Sequence, residues 1–514
     1  MHKHVIRALI LGAAFTLSGI GIASAETTAT PAIVAQATPA PKDPATPNPL
    51  TYSGYVRAYD FTRLNNPQLT KSNPLNQESF STAFDLHLNY NFVGGLGAGV
   101  TYLYSNSFND HCTTAASHAA GPPCVKANTG AAFQGTNPDD TLPGFEMSTL
   151  YEAYLVYRDP SLFIKAGNQV INTPWANPSD SRLKPVAFQG GDIAYQLDKN
   201  WTGEFMYMDK FESRVDSDFL NSTLLTATKI ADAPGAGSNL HIPNYSATTT
   251  NGFFYGRAGY KSGPLYAEAS DYQFLDIANA VWVDGTYALS GALKPALAFQ
   301  LGNENNTGRS VIGKINSQVF GIQGGITPWK DVSFTVGYDY IPRKQDTITL
   351  PAGVTCSATG TIGGTAVFPY FLPSGGTPQC HKNSDGTTNV YYGGWASPYT
   401  DSYATDPLFT TSISQGMADR RSPGQSVKVA LTTFFWQHRI RFIASRAYYD
   451  YGTAVGGVAP TQESDLDGTL FLNPVGKGTY HGLSLRYRYA ERNQNFFTTN
   501  PDFKYNRAQL EYDF

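Results

Sequence analysis

Residues 80–92 alternate strictly between two kinds of side chain. Phe80, Thr82, Phe84, Leu86, Leu88, Tyr90 and Phe92 fall on one face of an extended chain. Ser81, Ala83, Asp85, His87, Asn89 and Asn91 fall on the other. A period of two predicts a strand whose faces meet different solvents. After the short turn Val93-Gly94-Gly95 the pattern resumes with Leu96, Ala98, Val100, Tyr102 and Tyr104. The chain closes in the same way: Ala508, Leu510, Tyr512 and Phe514 share a face, against Arg507, Gln509, Glu511 and Asp513. This terminal aromatic strand resembles the signal by which outer-membrane proteins are recognised for assembly, so the barrel-assembly machinery is an expected partner.

The connections between such runs are of two lengths. Short ones include Asp159-Pro160-Ser161, Asp198-Lys199-Asn200, Ser262-Gly263-Pro264, Ser290-Gly291 and Pro328-Trp329-Lys330-Asp331. Long ones span Ser107 to Glu146, Glu212 to Thr250 and Ile341 to Ser422. Short turns on one side and long loops on the other predict a transmembrane antiparallel β-barrel, all-β, with its long loops extracellular and its short turns periplasmic. Counting from turn to turn gives about eighteen strands, an even number, with Tyr448 to Tyr480 the place where a hairpin is hardest to count. A barrel of that size encloses a lumen wide enough for solutes.

Composition agrees with this reading. The 514 residues include 49 glycines, 32 tyrosines and 30 phenylalanines but only 6 tryptophans, and 15% are charged. Mean hydropathy is −0.28, because lipid-facing and water-facing residues alternate and cancel. At the N-terminus Lys3 and Arg7 precede an apolar run, Ala8 to Ile22, and then Ala23-Ser24-Ala25. That order predicts a signal peptide over residues 1–25. Residues 26–50, rich in Ala, Thr and Pro, read as a periplasmic linker, leaving 51–514 as the barrel. No later stretch offers the roughly 20 apolar residues of a membrane helix. The formal charge of −4 becomes −6 when Lys3 and Arg7 are lost, which argues against a nucleic-acid partner. Cys112 with Cys124, and Cys356 with Cys380, lie in two loop segments and predict two disulfides in an oxidising compartment. His111 and His381 stand beside two of these cysteines, but no short Cys-x-x-Cys spacing supports a metal site. No cofactor is expected.

Asn177 to Gly191 reads NPSDSRLKPVAFQGG, preceded by Ala166-Gly-Asn-Gln169 and Thr173-Pro174. Together with Gly482-Leu-Ser-Leu-Arg-Tyr-Arg-Tyr489 and the last strand from Asn506, it resembles the OprD family of substrate-specific porins. The matching elements are Asp180-Ser181-Arg182-Leu183, Pro185, Phe188 and Gly190. The large 341–422 loop with its cysteines and the N-terminal linker depart from that pattern. The resemblance implies an eighteen-stranded barrel, often monomeric, whose third loop folds inward. It also implies a basic ladder on one wall, opposed by acidic groups, that guides carboxylate-bearing molecules such as amino acids or aromatic acids.

Facing analysis supplies candidates for that ladder. Leu483, Leu485, Tyr487 and Tyr489 read as lipid-facing, which turns Arg486, Arg488 and Arg492 inward. Ile440, Phe442 and Ala444 do the same for Arg439 and Arg441, and Val427, Val429 and Leu431 for Lys428. Arg507 lines the last strand. A Lys or Arg on the lipid face costs about 2–4 kcal/mol near the midplane, so these cations have a reason to face water. Inward charge also solubilises any porin wall, and that plain role stands beside the guiding one. At the third loop Arg182 and Asp180 are the constriction candidates, with Asp192 or Glu152 as acidic partners, and Arg182 can equally pair with Asp180 to pin the loop.

The expected function is therefore diffusion of small solutes across the outer membrane, by a monomer or trimer embedded in outer-membrane lipid. An oligosaccharide-selective porin is the alternative, with Trp175 as a stacking surface. A surface adhesin or receptor built on the long loops is a reading from another class. None of the nine histidines sits in a nucleophile or metal motif, and enzyme activity is not expected.

Overall fold

The computed structural model describes residues 49–514 except 66–76, 109–145, 181, 215–216, 226–249, 359, 365–367, 374–378, 401–404, 452–460, 473–481 and 494–502. The signal peptide, nearly all of the linker, Cys112, Cys124 and Ser181 lie outside the described residues.

Thirteen strands come first: β1 (Leu50–Asn65), β2 (Gln77–Asn91), β3 (Leu96–Ser107), β4 (Met147–Arg158), β5 (Leu162–Gln169), β6 (Ala187–Gln196), β7 (Trp201–Glu212), β8 (Phe253–Ser262), β9 (Leu265–Phe274), β10 (Ala278–Ala288), β11 (Ala296–Asn306), β12 (Asn316–Trp329) and β13 (Val332–Ile341). Five short strands follow within one long connection: β14 (Lys344–Ile348), β15 (Val354–Cys356), β16 (Ile362–Gly364), β17 (Cys380–Lys382) and β18 (Thr388–Tyr392). The remaining five are β19 (Gly424–Phe435), β20 (Ile440–Asp450), β21 (Thr461–Phe471), β22 (Gly482–Asn493) and β23 (Phe503–Asp513). Apart from β14–β18, all belong to one 18-stranded antiparallel sheet. The sheet closes on itself because β23 pairs with β1, from Tyr55↔Asp513 to Asn65↔Phe503. Closure leaves no sheet edge to satisfy in lipid.

Alternation decides what faces where. On β3, Thr101, Leu103 and Ser105 are buried toward the lumen, while Val100, Tyr102 and Tyr104 are exposed outward. Outward aromatics gather near the short turns, among them Phe92, Trp201, Trp329 and Trp436. A second set, including Tyr207, Phe254 and Tyr340, gathers near the opposite rim. Two aromatic girdles around an aliphatic band are what a barrel presents to a bilayer. Among the described residues no helix is long and apolar enough to cross a membrane; the crossing is made by strands. Counting the seventh extracellular loop (L7) as residues 342–423, the barrel has one short outer connection as well, 275–277 between β9 and β10.

L7 is two structures in series. Its first part builds an external cap: β14, β18 and β17 form one small sheet and β15 pairs with β16. The cap has its own core of Val354, Phe368, Tyr370, Leu372, Val390 and Tyr392, and Cys356 is bonded to Cys380 across it. Lys314 of the β11–β12 loop fastens the cap to the barrel. Its amide donates to the Pro369 carbonyl at 2.7 Å, and its Nζ pairs with Asp346 Oδ2 at 2.6 Å. A crosslink closing 24 residues stabilises by about 3 kcal/mol, so reduction should act locally. Limited proteolysis with and without a thiol reductant checks this: new cleavage within 344–392 is expected while the heat-modifiable mobility of the barrel is unchanged.

Candidate functional site

The described residues of the second part of L7, 393–400 and 405–423, turn back into the barrel mouth. Inward glycines make room for it. A Cβ at Gly302 would lie 2.8 Å from the Trp395 ring and 2.9 Å from Trp282, and one at Gly337 would lie 2.9 Å from Phe409. Hydrogen bonds then tie the segment to inward side chains of successive strands. Glu304 of β11 accepts from the Ala396 amide at 2.8 Å. Asp339 of β13 accepts from the amide and hydroxyl of Thr410 at 2.8 and 2.6 Å. Glu463 of β21 accepts from the amide and hydroxyl of Ser414, both at 2.6 Å. Tyr449 of β20 donates to the Thr410 carbonyl at 2.6 Å, and Lys428 donates to the Thr411 carbonyl. Within the segment, burial pushes the Asp406 carboxyl up to about 8, against the opposing hydrogen bonds from Thr411 and the Leu408 amide.

The third loop (L3, residues 170–186) meets L7 inside the ring. Thr173 and Ala176 close a tight turn around Pro174 and Trp175, with the Thr173 amide donating to the Ala176 carbonyl at 2.8 Å. Trp175 is fully buried, its ring centroid 5.2 Å from that of Trp282 on β10 and 4.9 Å from that of Trp395 on L7. Asn177 Nδ2 donates to the Thr405 carbonyl at 2.8 Å. One apolar cluster thus joins L3, L7 and the inward aromatics of β8–β10. Trp175 has no free face on which a sugar could stack.

The tip of L3 reaches the opposite wall. Asp180 receives Arg507 Nη1 on both oxygens, at 2.8 and 2.7 Å, and Arg488 Nη1 at 3.2 Å. Burial alone would raise the Asp180 carboxyl, but Arg507, Arg488 and Arg182 hold it well below the usual carboxylate range. Arg182 lies with its guanidinium over Phe61, 4.6 Å from the ring centroid, and its carbonyl accepts from Arg57.

The cations of this wall form a column. Arg57 lies opposite Glu511, and Glu511 opposite Ser484. Two residues further along, Arg486 lies level with Gln509 and Tyr59; two further again, Arg488 lies level with Arg507 and Phe61. Arg492 ends the series, level with Phe503. Four such steps cover roughly 27 Å along the strands. Asp467 of β21 stands among them, accepting from Arg486 Nε at 2.9 Å and Arg488 Nε at 2.8 Å, with Arg441 also within electrostatic reach.

No protein-family model matches this chain, and no curated protein matches it. Solved structures do. A BenF-like porin from Pseudomonas fluorescens Pf-5 aligns with TM-score 0.60 at 14% identity, over 90% of this chain and 98% of that one. Acinetobacter baumannii OccAB4 aligns with TM-score 0.61 at 15% identity, over 91% and 98%. Pseudomonas aeruginosa OccK2, solved in complex with glucuronate, aligns with TM-score 0.58 at 13% identity, over 90% and 97%. The fold is that of the OprD-type porins. With its girdled apolar exterior, an OprD-type barrel is an outer-membrane barrel.

Against this OprD-type frame the sequence-predicted residues can be placed. Arg441, Arg486, Arg488, Arg492, Arg507 and Lys428 all share the parity of the lumen face of their strands. Arg439 instead sits in the short turn before β20, its guanidinium 5.4 Å from the Trp436 ring. Asp192 and Glu152 do not meet Asp180. Glu152 accepts from Thr101 at 2.6 Å and pairs with Lys165 at 3.5 Å, while Asp192 faces Lys165, Glu204 and Arg257. Sequence reading missed Arg57 and Arg63 on β1 and Asp467 on β21. The alternation of Arg57, Tyr59, Phe61 and Arg63 was a usable signal. The lumen segment of L7 left only a weaker one, a set of inward glycines on β11–β13.

Proposed function

We propose that this chain is an outer-membrane porin for small carboxylate-bearing solutes, guided by the arginine column and narrowed by L3. The observation that carries this is the run of Arg57, then Arg486, then Arg488 with Arg507, then Arg63, then Arg492 at successive levels of three adjacent strands, with Arg441 beyond Asp467. Cations repeated along a lumen lower the barrier for an anion, and each rung must bind weakly enough to release it. Asp467 and Asp180 serve that need, since a carboxylate already on the arginines competes with the solute and limits its affinity. The glucuronate complex of the similarly folded OccK2 is a carboxylate sugar, which suits the same reading.

The test is single-channel recording of the refolded full chain with carboxylates and neutral oligosaccharides as blockers. Charge-assisted hydrogen bonds contribute about 1.5–3 kcal/mol each. Arg486→Ala with Arg488→Ala should therefore weaken carboxylate block by about tenfold or more. Block by neutral oligosaccharides with none by carboxylates would replace this reading with the sugar porin.

A further inference from the structure

We propose that the outer rim of the barrel holds a bis-phosphorylated glycolipid, of the lipid A type, against the outward face of β20–β23. Its phosphate contacts are Arg446 of β20 and Lys504 of β23, on the lipid side of the wall and outside the pore. Ala447 and Tyr449 are buried toward the lumen, which turns Arg446 outward, where it is exposed. Phe503 and Tyr505 are likewise buried inward and leave Lys504 facing out.

A cation on the lipid face is costly at the midplane and tolerated only near the headgroups. Arg446 meets that condition. It stands six positions above Ile440 at the short-turn end of β20, the height at which Tyr207 of the outer girdle stands above Trp201 on β7. The girdle is interrupted here: among the described residues β20 exposes no large apolar side chain, and β21 exposes Leu466 alone.

The register sets the two cations in one row. Arg446 lies opposite Ser464, Ser464 opposite Glu491, and Glu491 opposite Lys504. Three strand steps of about 4.8 Å put roughly 14 Å between the two backbone positions. That span is too long for one phosphate and suits two phosphates at the ends of a disaccharide. Polar groups fill the interval. Ser464 is exposed, and Gln462 Oε1 accepts from Arg446 Nη2 at 2.6 Å, which orients the guanidinium. Glu491 accepts from the Tyr489 hydroxyl at 2.5 Å and lies 4.0 Å from Lys504 Nζ, so its charge is opposed within the row. Guanidinium and ammonium groups are the donors that suit phosphate. On the midplane side of the row Leu466, Leu485 and Tyr487 are exposed and offer apolar surface to acyl chains. A phospholipid with a single phosphate would engage one end only.

The site does not rest on the carboxylate reading, and its test keeps the two apart. The refolded full chain is titrated in detergent with bis-phosphorylated lipid A, and bound lipid is counted by native mass spectrometry. Wild type should hold one lipid A per barrel. Arg446→Gln with Lys504→Gln should weaken that binding by about tenfold or more, with heat-modifiable mobility, conductance and carboxylate block unchanged. Dephosphorylated lipid A should bind wild type about tenfold more weakly, a comparison that stands even if the double variant fails to fold. Equal binding by wild type and variant would overturn the site, as would equal binding of dephosphorylated lipid A. Equal binding of phosphatidylglycerol would also overturn it, by showing attraction of any anionic lipid. A dimer of barrels in place of bound lipid would assign the row to a second copy of this chain and overturn it too.

Discussion

Single-channel conductance should rise by about twofold or more when residues 395–420 are replaced by a short Gly/Ser bridge, since an eighteen-strand ring is wide enough for an aqueous channel. The reason lies in what the segment occupies. Trp395 and Tyr399 are fully or almost fully buried among the inward aromatics of β8–β10 and Trp175 of L3, and Met417 is fully buried beside Ser426 of β19. They fill cross-section that water would otherwise take. The wall itself should survive. The strands are held by their own antiparallel ladders, and the carboxylates that L7 now satisfies, Glu304, Asp339 and Glu463, would face a hydrated lumen. The measurement is conductance in a planar bilayer at fixed salt, with heat-modifiable mobility as the check on folding. Unchanged conductance would place the narrowest point elsewhere and remove L7 from the account of the pore.

The second large effect concerns Asp180. Asp180→Asn should lower the stability of the folded barrel by about 3–5 kcal/mol, because one carboxylate at the tip of L3 neutralises buried Arg507 and Arg488 together. Removing it strands Arg507, 1% exposed at the side chain, and leaves Arg488, 11% exposed, with Asp467 as its carboxylate. The urea midpoint of unfolding, followed by gel mobility, reads the loss; an unchanged midpoint would mean that water serves these arginines as well as Asp180 does. The pH dependence has a definite sign. Since the folded-state pKa of Asp180 is depressed, its contribution is complete above the unfolded value of about 3.9 and is lost only as pH falls toward the folded one. Wild type and variant should therefore differ by a constant amount at neutral pH and converge in strong acid.

Much of the barrel was legible in the chain. Period-two alternation marked the strands, and it also fixed which cations look inward, as Arg486 and Arg488 show: with Leu485 and Tyr487 committed to lipid, their neighbours had no other side to face. Asp180 at the tip of L3 was legible as a site residue from the family resemblance, but its partners were not. Its contacts with Arg507, 327 residues away, and with Arg488 depend on how far the loop reaches across the ring. The same holds for Asp467, which reads as one more inward polar residue until β21 is seen wedged between the strands of Arg441 and Arg486.

L7 marks the limit most clearly. Its polarity, prolines and glycines read as an external loop, and for residues 344–392 with their disulfide that reading serves. For residues 393–423 composition misleads. Thr410 and Ser414 donate to buried carboxylates on β13 and β21, and the Ala396 amide to one on β11, so a polar sequence makes a buried segment. Local alternation dictates a strand's two faces, because each face is decided by adjacent residues in lipid or water. Whether a loop turns outward or into the lumen is decided by partners hundreds of residues away, and only the closed barrel brings them within reach. The sequence by itself determined a barrel of about eighteen strands with an inward row of cations. The tertiary structure decided that two loops meet inside it, and that one of them carries Asp180 across to Arg507.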